Sequence, residues 1–286
     1  MFRYVLVITV LALSVSVAGQ TPWQPPRTPD GQPDMQGIWR FDSPQASLAA
    51  LVSLEGERGP LWQDVSRWLQ VEATIQDFKV LALSFVVDPP DGKIPYQAWA
   101  TAKRSEFFAN SVTPTKREQI DPNTRGFLTG VPRIQHYPPP MQILQVPGSV
   151  VLLYENKHAS RVIPLDGRPH VGERVTLWMG DSRGRWEGNT LLVDVTNQTD
   201  RTWLDVLSFH GQGLHVVERW TPVGPDRIDY QATFEDPTMF TRPWTIAYSF
   251  TRDTRALEIW EQADYEGERD IERILSGGGF AGRKKE

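Results

Sequence analysis

The chain has 286 residues, no cysteine, 40% hydrophobic and 23% charged residues, and a formal net charge of −5. That length allows one large domain or two small ones, and it is ample for a buried core. The balance argues against disorder, a polytopic membrane protein, or nucleic acid as a partner, because binding phosphate needs a basic stripe.

Met1-Phe2-Arg3 makes a short basic start, residues 4–17 are almost purely apolar, and Ser16, Ala18 and Gly19 are small. This is the layout of a secretory signal peptide over residues 1–19, shorter than the roughly 20 apolar residues a spanning helix needs. Export to the periplasm or the extracellular space is expected, with no stable membrane insertion after cleavage. Residues 20–34 hold the Pro-rich run TPWQPPRTPDGQP, read as an extended arm. Residues 35–275 are expected to form a single domain, and 276–286 a flexible basic tail.

Within the domain, Leu61, Trp62, Val65, Trp68 and Leu69 follow helical spacing after Gly59-Pro60, and Pro95 suits the first turn of a helix running to about Asn110. Together these predict a helical insert over residues 45–140. From Gln142 the period changes to two. Residues 142–146 and 149–155 flank Pro147-Gly148 as a hairpin, and 161–164, 175–179, 190–196, 214–220, 227–234, 244–250 and 256–262 follow as strands. About eight or nine strands with no helices between them predict a mainly β fold, an antiparallel meander closed into a barrel. Closure removes exposed edges, and the insert would pack on or plug one end.

Alternation assigns the polar side chains to faces. Glu218 is in phase with Leu214, Val216 and Trp220, and Glu261 with Leu257 and Ile259. Two carboxylates facing a lumen could divide acid and base roles, or each could bond an Arg at a barrel mouth. Asp194 shares a face with Leu192 and Thr196, where it either orients a His or Arg or faces solvent. His215 is opposite in phase to Glu218, so only one of them lines the lumen from a regular strand. His158 and Arg161 flank a strand start and His170 ends a turn; imidazole suits proton transfer near neutral pH. Ser182, Arg183, Arg185 and Trp186, shortly after Trp178, form the densest polar cluster, and guanidinium groups there can clamp a carboxylate or stack on a Trp.

Two functions fit this pattern. One is an exported small-molecule enzyme of acid–base type (hydrolase, lyase or isomerase) working inside the barrel cavity, using Glu218, Asp194 and Arg185 with His170 or His215 as proton carrier. The other is a carrier whose pocket is lined by rings such as Trp178 and Trp186, with Arg161, His158, Ser182, Arg183 and Glu261 contacting a small apolar or acidic ligand. No nucleophile elbow, metalloprotease helix or phosphate-cradling loop is present, and no ligand spacing links His158, His170 and His215. Neither a metal nor another cofactor is expected.

Several segments occur together: Pro33-Asp34-Met35-Gln36-Gly37-Ile38-Trp39, Gly130-Val131-Pro132-Arg133, Asp166-Gly167-Arg168-Pro169-His170, WMGDSRGRWEG at 178–188 and Leu214-His215-Val216-Val217-Glu218-Arg219. The set resembles a large family of exported bacterial proteins frequent in Acidobacteria and related soil bacteria. The resemblance carries no reaction with it. It implies a cysteine in relatives just after the position of Arg125 and another near Ala263; Gly126 and Ala263 stand here, so that disulfide is absent. Gly37-Ile38-Trp39 is also similar to the opening Gly-x-Trp of lipocalins and other calycin barrels, in which the Trp closes one barrel end beneath a stacked Arg. That likeness implies a lipocalin-like (calycin-like) barrel and speaks to fold alone.

Overall fold

The computed structural model describes residues 23–41, 84–110, 113–136, 140–205, 207–262 and 270–278. Ten strands and one long helix follow in chain order: β1 Gly37–Phe41, β2 Val86–Asp88, α1 Ala98–Ala109, β3 Met141–Val146, β4 Ser149–Tyr154, β5 Ser160–Pro164, β6 Asp181–Glu187, β7 Thr190–Thr196, β8 His215–Gly224, β9 Arg227–Glu235 and β10 Trp244–Arg252. A short helix, Asp270–Arg273, comes last. Every ladder is antiparallel, in the order β5-β4-β3-β1-β10-β9-β8-β7-β6, with β2 on the flank of β10.

Because the first strand sits between β3 and β10, the meander runs back on itself and makes a nearly closed barrel. The flanks of β5 and β6 meet through side chains instead of a ladder. Arg161 Nε donates to Ser182 Oγ at 2.8 Å across this seam. Gly184 lies so close under Ile163 and Leu165 that an added Cβ would stand 2.7 Å from each.

The strands form because their apolar residues recur every second position: β8 alternates half-buried and buried through most of its length, and β10 does the same. Rings fill both ends of the lumen. At one end Trp220 stacks on Phe250 with centroids 5.1 Å apart, and the Arg252 guanidinium lies 4.2 Å over the Trp39 ring. Trp39 Nε1 donates to the Met35 carbonyl at 2.9 Å. Gly37 holds φ +134°, a backbone conformation strained for any residue with a side chain, and a Cβ there would also displace the Arg252 guanidinium. At the other end Phe234 and Trp244 stack at 4.0 Å, with Phe240 edge-on at 5.5 Å.

Between these ring layers the 3-10 turn Arg133–His136, buried at all four positions, plugs the barrel. Its anchor is a two-pronged ion pair: Arg133 Nη1 and Nη2 donate to the Asp121 carboxylate at 2.9 and 2.6 Å. Helix α1 packs outside through Phe107, which stacks on Trp203 at 5.3 Å and meets Phe209 edge-on at 5.4 Å.

Two expected strands are loops. Residues 175–179 make a single parallel bridge, Leu177 to Gln198. Asn197, in the left-handed region at φ +59°, donates from Nδ2 to the carbonyls of Gly172 and Val175 and holds that segment off the sheet. Residues 256–262 turn their apolar side chains outward, with Leu257 96% and Trp260 77% exposed, because β1 already occupies the flank of β10. Three strands go beyond the expectation. β1 and β2 precede the period-two region, and β2 falls within residues expected to be helical insert. β6 carries Arg and Gly where a strand ordinarily shows apolar alternation. The expected leader (1–19), the helical spacing at 61–69 and the expected tail beyond Gly278 lie outside the described residues. Among the described residues no helix is long and apolar enough to cross a membrane.

Candidate functional site

Two polar clusters lie back to back on the wall formed by β6, β7 and β8, one facing the lumen and one facing out. The inner cluster centres on Glu218, fully buried in β8. Arg161 from β5 donates from Nη2 to Glu218 Oε2, and Ser182 from β6 accepts the Arg161 Nε–H. Glu218 Oε1 accepts from Gln135 Nε2 at 2.5 Å and from Tyr230 Oη at 2.8 Å. Burial works against the Arg161 charge, but the adjacent Glu218 carboxylate outweighs it and holds the guanidinium above its ordinary range. The phenols of Tyr230 and Tyr248 are pushed up by burial first and by Glu218 second. Tyr154, also raised by burial, is held back by its Arg161 neighbour. Arg161 also meets the Tyr154 phenol, and Tyr248 Oη is buried with no hydrogen-bond partner among the described residues.

The outer cluster spans four strands. Odd-numbered residues of β6 and even-numbered residues of β7 face out, so Arg183 stands opposite Asp194 in the ladder. Asp194 is opposite Val217 of β8, which makes His215 its diagonal neighbour on the same face. His215 Nε2 bonds Asp194 Oδ2 at 2.9 Å. His170, brought in by the loop before β6, places Nε2 2.8 Å from Asp194 Oδ1 and Nδ1 2.8 Å from Asp181 Oδ2. The Val171 N–H also donates to Asp181 at 3.0 Å, and Arg183 Nη1 lies 2.7 Å from Asp181 Oδ1.

The result is a chain Asp181–His170–Asp194–His215, continued toward Glu235 of β9 at 3.9 Å. Both nitrogens of His170 lie within hydrogen-bond reach of a carboxylate, which fixes the ring between Asp181 and Asp194. His215 Nδ1 makes no hydrogen bond among the described residues and lies 3.9 Å from Glu235 Oε2, and the side chain is 36% exposed. Partial burial raises the Asp194 carboxyl, but the bonds from His215 and His170 outweigh it and hold it below the usual carboxylate value.

Of the residues singled out from sequence, Asp194, His170 and His215 thus meet in one bonded chain, with Arg183 beside it. Glu218, Arg161 and Ser182 meet in the lumen, on the opposite side of the same wall. Other candidates stand apart. Arg185 is exposed and pairs with Glu187 at 2.9 Å, so it does not join Glu218 or Asp194. Glu261 is no lumen carboxylate: its side chain is 70% exposed and lies 3.6 Å from His158, because its segment never enters the sheet. Trp178 stacks on Phe127 at 4.8 Å, while Trp186 packs half-buried against the core. Asp181, Gln135 and Tyr230 escaped the sequence reading. Asp181 would have been visible once 181–187 was read as a strand, in phase with Arg183; Gln135 reaches the lumen through a turn that no periodicity marks. Among the described residues no group of three or more His, Asp or Glu side chains is arranged to hold a metal ion. No family model matches the chain, and no curated protein matches it.

Proposed function

We propose that the protein is an exported small-molecule enzyme of acid–base type, working on the outer face of the barrel wall. A single observation carries this reading: Asp194 bonds two imidazoles, and the partly exposed one, His215, has an Nδ1 without a hydrogen bond among the described residues. His215 Nδ1 takes a proton from the substrate while Nε2–H donates to Asp194, and the carboxylate stabilises the imidazolium that forms. His170, fixed between Asp194 and Asp181, keeps the carboxylate oriented. Hydrolysis, elimination and isomerisation are all open to such a base. The resemblance to the exported Acidobacteria family belongs with this reading, through its segments that carry His170, Asp181 and His215.

The test is turnover of 4-nitrophenyl carboxylate, glycoside and phosphate probes by the wild-type, His215→Asn and Asp194→Asn proteins. One probe class is expected to react, with kcat/KM falling about 100-fold or more in either variant. Turnover that His215→Asn retains in full sinks the assignment.

A lipocalin-like carrier is the second reading, favoured by the Trp39–Arg252 closure of one barrel end. Native mass spectrometry of protein purified from its exported compartment separates the two. A retained small acid, with no probe turned over, selects the carrier.

A further inference from the structure

A third cluster lies away from both of these. Phe127 stacks on Trp178, and the Arg201 guanidinium lies 5.2 Å over each ring. Arg125 covers Phe127 from 5.3 Å. A cavity of about 250 Å³ opens here, lined by Arg117, Arg125, Phe127, Arg201, Ile271 and Glu272. It is smaller than the roughly 300 Å³ at which sites for drug-sized ligands begin.

Three guanidinium groups therefore share one small cavity in a chain whose net charge is −5. None of the three has an ion pair or a side-chain hydrogen bond among the described residues. Arg125 Nε is buried without a partner. The nearby carboxylates do not relieve them: Asp121 is occupied by both prongs of Arg133, Glu118 is exposed on its turn, and Glu272 reaches the cavity from the last helix without pairing. Burial, then the charges of Arg201 and Arg117, act against the Arg125 charge, with Asp121 and Glu118 giving only partial support. Like charges gathered beside a low-dielectric wall cost free energy that an anion between them would recover.

We infer that this cavity is a binding site for a small organic acid: a carboxylate held by Arg125 and Arg201, with a flat apolar body against Phe127 and Ile271. Guanidinium forks match a carboxylate in plane, and the ring faces already holding Arg201 keep it pre-oriented. Glu272 at the rim disfavours a second negative charge on the guest, so a monocarboxylate fits better than a phosphate. The site does not depend on His215 and stands or falls apart from the acid–base reading.

Calorimetric titration of the full chain at low ionic strength tests it, with benzoate, acetate and inorganic phosphate as probes. Benzoate is expected to bind about tenfold tighter than acetate, and phosphate to bind most weakly. Arg125→Gln and Arg201→Gln should each weaken benzoate about 10-fold or more, the share of a hydrogen bond to a charged group. Arg227→Gln, which removes the same charge from an exposed pair with Asp229, should change affinity less than about twofold. Arg201 is exposed, so its variant keeps the test valid if Arg125→Gln fails to fold. The inference is overturned if no probe binds, if acetate or phosphate matches benzoate, or if all three variants behave alike.

Discussion

Glu218 and Arg161 show what one phase of a strand can commit a protein to. Their charges lie at 0% and 2% side-chain exposure, far from water, and are tolerated because three donors converge on the carboxylate. Glu218→Ala leaves the guanidinium buried without its counter-charge, and the expected loss is about 3–5 kcal/mol of stability, seen as a lower urea midpoint. Replacing both residues together, Arg161→Met with Glu218→Leu, should recover most of that loss, because no charge is then stranded. A Glu218→Ala protein as stable as the wild type would mean that the pair is not the anchor of the lumen. The position of Glu218 was readable from its alternation with Val216 and Trp220; its partner was not. Arg161 lies on β5, 57 residues away, and only closure of the barrel brings the two together.

The same contrast holds for elements. Strands β9 and β10 were legible because each repeats a clean period of two, with strongly β-forming residues on the inner face. β6 was hidden by its composition: Arg183 and Arg185 stand on its outer face, and on its inner face Ser182 and Gly184 replace apolar residues where the strand meets β5 closely. Residues 256–262 carry apolar residues at strand spacing, but the flank of β10, the strand just before them, is already taken by β1. The seam between β5 and β6 has no backbone ladder, so its integrity rests on Gly184 and on the Arg161–Ser182 bond. Gly184→Val drives its side chain into Ile163 and Leu165, and about 1–3 kcal/mol of destabilisation is expected from the overpacking. Hydrogen exchange should then quicken in β5 and β6 well before β9 and β10. Uniform quickening across all strands would show instead that the barrel opens as one unit.

At the scale of the molecule, two titrating groups of opposite kind set how stability follows pH in the same direction. His210 is buried and bonded by Thr202 Oγ1 at 2.8 Å, by Gln198 and by the Gly211 carbonyl. Burial lowers its proton affinity from the ordinary 6.5, against weaker upward pulls from Gly211, Asp236 and Asp200. The unfolded chain therefore binds the proton first as pH falls below 6.5, and stability present above that value is lost on the way down. Asp194 acts lower on the scale. Its carboxyl is held below 3.8 by the two imidazoles, so its contribution is intact above 3.8 and fades as pH falls through the folded value. Stability should thus descend in two steps, each no steeper than about 1.4 kcal/mol per pH unit for a single proton. Urea midpoints measured from pH 8 to pH 3 can separate them. His210→Gln should flatten the upper step and leave the lower one, while Asp194→Asn should reduce the lower step alone. An upper step that survives unchanged in His210→Gln would assign it to other groups and remove His210 from the balance.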